Sequence, residues 1–117
     1  MTGEAALVAR LQAALNARDS DAAAGLMHPR AAFADYLAGG EVSGPVAVRD
    51  FFVRLFASLA PDFDLLGLEI LADGRAAAEH QVCVRGADGA LWSDTRVTIT
   101  YVIADGLIIG LELTPVP

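Results

Sequence analysis

Two side chains in this sequence could move a proton, Asp35 and His80. In the stretch AAFADYL, from Ala31 to Leu37, strand alternation puts Phe33 and Asp35 on one face and Ala32, Ala34 and Tyr36 on the other. A lone carboxylate beside a phenyl ring, on a face that a following helix would cover, is costly unless it is paired or neutral. An apolar pocket would raise its pKa above the usual value of about 3.9 and make it a better base near neutrality. The plainer alternative is an acid at a strand end that reaches solvent or caps a turn. His80 shares a face with Ala78, Val82 and Val84, while Glu79, Gln81, Cys83 and Arg85 take the other. An inward imidazole could pair with Asp35 or act as acid or base itself. It could equally be a core histidine bonded to a backbone carbonyl.

On the next predicted strand Trp92, Asp94 and Arg96 share a face, read here as a cross-strand or dimer surface. Thr95, Val97, Ile99 and Tyr101 then face inward, and Tyr101 could bring a hydroxyl to a pocket. Other chemistries lack their residues. Two histidines and one cysteine make no metal-spaced cluster, so no metal is expected. Gly39, Gly40 and Gly44 have no lysine beside them and open no βαβ unit. The serines at 20, 43, 58 and 93 sit in no nucleophile-elbow context. No cofactor is expected.

The elements that must position these residues fall into two halves. Leu7, Val8, Leu11, Ala14 and Leu15 recur at helical spacing and predict a helix over 4–17. Asp19-Ser20-Asp21 caps a second, short helix that His28-Pro29 ends. A strand from Ala31 to Leu37, a Gly39-Gly40 turn and a brief extended piece, Glu41 to Ser43, follow. Pro45 opens a third helix, with Val48, Phe52, Leu55, Phe56 and Leu59 as its apolar stripe and Asp50 placed to pair with Arg54. Ala60-Pro61 ends it. Beyond, Phe63 to Ala72, Arg75 to Arg85, Leu91 to Ile103 and Leu107 to Leu113 read as strands separated by three Asp-Gly turns. Helices first and an antiparallel meander second make an α+β fold, with Thr114 to Pro117 as an exposed tail.

The 117 residues suit one domain, and 55% apolar against 20% charged residues excludes a disordered chain. A net charge of −7, with its basic residues scattered singly, excludes nucleic acid as a natural partner. The lone Cys83 excludes an internal disulfide, and no apolar run reaches the ~20 residues of a membrane span. A soluble, cytoplasmic protein is expected, with no membrane partner.

The segments ALNARDSDAAAGL, the Asp35 strand and Gly44-Pro-Val-Ala-Val-Arg-Asp-Phe51 resemble, in order and spacing, the nuclear transport factor 2-like superfamily. Within it they are most similar to ketosteroid isomerases and SnoaL-like polyketide cyclases, whose corresponding helix reads G-x-x-A-I-R-x-F. The resemblance implies a cone-shaped curved sheet, antiparallel or mixed, with three N-terminal helices on its concave face, and a homodimer through the outer sheet face. Apolar residues on both faces of the last strand, Leu107, Ile109 and Leu111 against Ile108, agree with such a dimer. The resemblance also implies an apolar pocket in which Asp35 stands where ketosteroid isomerases hold their base. Phe33, Phe52, Phe56, His80, Val82, Ile99 and Tyr101 are expected around it. Yet the positions of the isomerases' oxyanion donors are Leu11 and Ile99, and a supporting tyrosine is Phe52. Losing donors that are typically worth several kcal/mol of barrier argues against steroid isomerisation. The expectation is a cofactor-independent isomerase, cyclase or lyase acting on a small apolar carbonyl compound, with Asp35 as base and His80 as its partner. The alternative is a non-catalytic module of the same fold that binds a small ligand or dimerises.

Overall fold

A computed structural model describes residues 3–116. The chain order is α1 (Gly3–Asn16), α2 (Ser20–Gly25), β1 (Ala32–Ala34), β2 (Glu41–Ser43), α3 (Pro45–Ser58), β3 (Leu59–Ile70), β4 (Ala76–Gly86), β5 (Leu91–Ala104) and β6 (Leu107–Pro115). It is an α+β fold. The last four strands form an antiparallel meander in the order β3-β4-β5-β6, and β1 and β2 form a separate antiparallel pair. One parallel bridge, Met27 to Ile108, ties the segment after α2 to the start of β6.

The sheet curves because the strands are not uniform. Irregularities in register fall between Leu65 and Gly67, between Val84 and Arg85, and between Val102 and Ile103. An extra residue on one strand of a pair bends it and increases its twist. The helices occupy the hollow. α1 buries Leu7, Val8, Leu11, Ala14 and Leu15 against β3 and β4, the stripe its spacing predicts. α2 is capped by Asp19, whose Oδ1 accepts from the Ala22 N–H at 3.0 Å, and it packs on α1 and α3.

Gly44 begins α3 with φ +84°, where a side chain would be strained, and Pro45 takes the first turn. The helix ends at Ser58, not at Ala60-Pro61. Leu59 is already extended, and β3 runs straight on from it. Pro61 is tolerated there because β3 is an edge strand, so its missing N–H removes no ladder bond. The buried face of α3 carries Val48, Phe51 and Phe52. Phe56, expected in that stripe, is only half-buried, and Phe51 takes the place toward the core.

Of the two apolar sets on the last strand, Ile108 is fully buried, opposite Ile103, and the register skips Ile109 between it and Gly110. The face away from the helices carries polar residues in register: Glu79 beside Thr98, Gln81 beside Arg96, Cys83 beside Asp94. Gln81 Nε2 donates to Asp94 Oδ1 at 2.7 Å, and Arg96 lies 3.6 Å from Glu79, so the Asp94 and Arg96 pairs run across strands. The expected tail begins later, since β6 includes Thr114 and Pro115; Pro117 lies outside the described residues. No helix among the described residues is long and apolar enough to cross a membrane.

Candidate functional site

A cavity of about 300 Å³ separates the helices from the concave sheet face. Side-chain alternation builds its wall. Thr95, Val97, Ile99 and Tyr101 are every second residue of β5, and Val82 and Val84 continue the row on β4. α1 adds Leu11 and Leu15, one turn apart, and α3 adds Phe51, Phe52 and Leu55. Phe33 reaches in from β1 and meets Phe51 edge to face, with ring centroids 5.2 Å apart. Exposure grades along β5, from Thr95 at the open mouth to a nearly inaccessible Tyr101. Tyr36 and Leu37 flank that mouth.

No charged side chain lines this space; its side-chain polar groups are the hydroxyls of Tyr36, Thr95 and Tyr101. Tyr36 is already engaged, since its hydroxyl accepts from the Leu113 N–H at 3.0 Å. Among the described residues no cluster of three metal-ligating side chains occurs.

Asp35 lies outside the cavity wall. β1 stops at Ala34, and Asp35 starts a turn in which its N–H bonds Gly40 O and its C=O accepts from Gly39. Its Oδ1 accepts from the N–H groups of Ala38 (2.9 Å) and Leu37 (3.0 Å). Its Oδ2 meets Arg54 Nη2 at 3.0 Å. This is an Asx-type turn, in which the side chain does what a strand's backbone would otherwise do. The expected rise in its pKa is reversed. Backbone donation from Ala38 is the strongest influence; with Leu37 and Arg54 it outweighs the opposing desolvation and holds the carboxyl below its ordinary value. Arg54 is fixed in turn by Asp50 at 3.5 Å and by the Phe51 ring, 5.8 Å from its guanidinium carbon.

His80 points inward as its register requires, but the expected pairing with Asp35 is not made. Among the described residues neither ring nitrogen has a partner, and Gln12 Oε1 is likewise sealed and unpaired. The imidazole packs edge to face on Phe63, centroids 5.9 Å apart. Phe63 lines the cavity and His80 does not. Burial alone lowers the His80 pKa and keeps the ring neutral.

Of the residues expected around the pocket, Phe33, Phe52, Val82, Ile99 and Tyr101 line it, whereas Phe56 stacks behind Phe52 at 6.3 Å. Phe51 and Leu55 line it as well; the expected pocket named neither, and only Leu55 stood in the expected apolar stripe. Their signal was present, since 48, 51, 52 and 55 follow the i, i+3, i+4, i+7 rule. His28, expected only to end the second helix, has a partner on each ring nitrogen. Its Nδ1 accepts from Arg30 N–H at 3.0 Å and its Nε2 lies 3.0 Å from Asp105 Oδ2.

The cone with an apolar hollow matches solved structures over nearly its full length. An uncharacterised cystatin-fold protein from Novosphingobium aromaticivorans superposes with a TM-score of 0.80 at 20% identity, covering 97% of this chain and 98% of that one. A computationally designed 17-OHP binder gives 0.84 at 18% identity, covering 97% and 93%. A candidate polyketide cyclase from Sinorhizobium meliloti gives 0.77 at 24% identity, covering 92% and 93%. At such identities these likenesses concern the fold. No curated protein matches the sequence. The family model for the SnoaL-like domain matches residues 8–111, nearly the whole chain, and the protein belongs to that family.

Proposed function

We propose that this chain encloses an uncharged, largely apolar small molecule in its cavity and holds it by burial. The observation that carries this reading is the wall itself, which has no charged side chain and, three hydroxyls aside, is apolar. Such a space favours ligands that lose little on leaving water and excludes ions, whose desolvation nothing there would offset. A computationally designed 17-OHP binder with the same fold supports this reading. Proton transfer by Asp35 receives less support, because its carboxylate is committed to Arg54 and two backbone donors outside the wall. His80, as its partner, is shut behind Phe63.

A titration with Nile red, an uncharged dye whose emission rises in apolar surroundings, tests the reading. Saturable binding is expected, with an anionic naphthalene sulfonate of similar size binding more weakly. Leu55→Trp, which fills the cavity from α3, should weaken the dye at least roughly tenfold while circular dichroism stays unchanged. Absence of saturable binding, or equal affinity for the anion, would overturn it.

A further inference from the structure

Of the cavity's three hydroxyls, Tyr36 is engaged and Thr95 is exposed, which leaves Tyr101 as the buried one. Tyr101 lines its inner end and is only 2% exposed. Its hydroxyl makes no hydrogen bond within the described chain. Even so, it is not among the polar atoms sealed off without a partner, which are Gln12 Oε1 and the two nitrogens of His80. The hydroxyl therefore keeps some accessible surface, and the cavity is the space that its residue lines. A buried O–H left without an acceptor carries an energetic penalty that a ligand atom could remove.

Resting on the binding reading above, we infer that Tyr101 is the specificity-determining residue of this site. It donates a hydrogen bond to an acceptor, such as a ketone, ester or quinone carbonyl, at the buried end of the ligand. The choice of an acceptor follows from chemistry. Burial raises the Tyr101 pKa, so the phenol stays protonated and neutral at physiological pH and has a proton to donate. A ligand donor would occupy only an oxygen lone pair and leave the O–H unpaired. A carboxylate would bring an uncompensated charge into a wall that has no cation.

Orientation follows from the strand. Thr95 and Tyr101 belong to the same inward row of β5, six residues apart. At the rise of an extended chain their Cα atoms lie about 20 Å apart, with Thr95 at the mouth. The ligand thus lies along β5, apolar body against Val97 and Ile99, carbonyl inward.

Two probes of one shape separate this inference from the reading beneath it. One is a dimethylaminonaphthalene with a propionyl ketone, whose emission responds to hydrogen bonding; the other carries a propyl group instead. Wild type should bind the ketone roughly three- to tenfold more tightly than the hydrocarbon. Tyr101→Phe, isosteric and checked by its melting curve, should abolish that preference, leave the hydrocarbon's affinity unchanged and shift the bound ketone's emission to the blue. If both probes bind equally and Tyr101→Phe changes neither, the inference is wrong and the cavity reading stands. If neither probe binds wild type, both are wrong.

Discussion

His28 and His80 are both nearly shut off from solvent, at 8% and 1% exposure, and they are opposites in every other respect. His28 has a partner on each nitrogen, whereas His80 has none. The difference lies in what the backbone around each has to spare. His28 sits where α2 has ended and β1 has not begun, so the Arg30 N–H is free to donate to it, and Asp105 reaches over from the β5–β6 turn. His80 lies on β4, with Leu65 of β3 on one side and Val97 of β5 on the other. In an interior strand the N–H and C=O groups are consumed by the ladder, and no loop residue reaches in. A buried imidazole in a sheet thus carries a penalty that the same ring in a turn escapes.

The largest effect should come from removing that penalty. His80→Leu exchanges two unpaired polar atoms for an apolar side chain of similar size. We expect it to stabilise the fold by about 1–3 kcal/mol in urea denaturation at pH 7. Its pH dependence supplies the sharper signature. Because burial lowers the folded pKa of His80, the unfolded chain binds the proton first. Wild-type stability is then complete above the unfolded value, about 6.5, and falls as pH drops from there through the folded pKa. Each unit of depression is worth about 1.4 kcal/mol. His80→Leu should flatten that limb. A variant no more stable than wild type would mean that the imidazole has partners in solution that the chain does not supply.

His28→Leu should move the other way. It leaves the part-buried Arg30 N–H without its acceptor, while the exposed Asp105 carboxylate returns to water, and a loss of about 1 kcal/mol is expected in the same assay. Equal responses of the two histidines would dissolve the contrast.

The smallest change should come from Asp35→Asn. The amide oxygen can still accept from Leu37 and Ala38, but the charge that Arg54 meets is gone. A modest fall in Tm at neutral pH is expected. With the folded pKa of Asp35 lowered, its contribution is present above the unfolded value and lost as pH falls through the folded one. The gap between wild type and variant should therefore close in acid. A variant that melts higher than wild type at pH 7 would restore Asp35 to the role of a base held in an apolar pocket.

Much of this architecture was legible from residue spacing. The stripe of α1 and the three Asp-Gly turns need only periodicity and the glycine's tolerance of positive φ, which are local properties. The inward row from Thr95 to Tyr101 followed from alternation alone, because β5 keeps its register through that stretch. Asp35 was not legible for the same reason in reverse. Alternation assumes that the strand continues, and Asp35 itself ends it by bonding Leu37 and Ala38. Its third partner, Arg54, comes from α3, 19 residues away. Nor could spacing tell a cavity-lining histidine from one behind the wall, since that depends on where the Phe63 ring falls.

The two margins of the main sheet are each stopped up by side chains from elsewhere. At the β3 margin Asn16 takes both main-chain groups of Phe63, donating from Nδ2 to its carbonyl at 3.0 Å and accepting its N–H at 2.8 Å. Pro61 offers no N–H, and Asp62 and Asp64 place negative charge on either side. At the β6 margin the Tyr36 hydroxyl holds the Leu113 N–H, and the segment from Leu26 to His28 bonds both main-chain groups of Ile108. A stray strand seeking to extend the sheet laterally meets occupied or missing groups at these points, the usual guard against runaway polymerisation. A further strand is thus refused at Pro61 and Phe63 on one border and at Ile108 and Leu113 on the other.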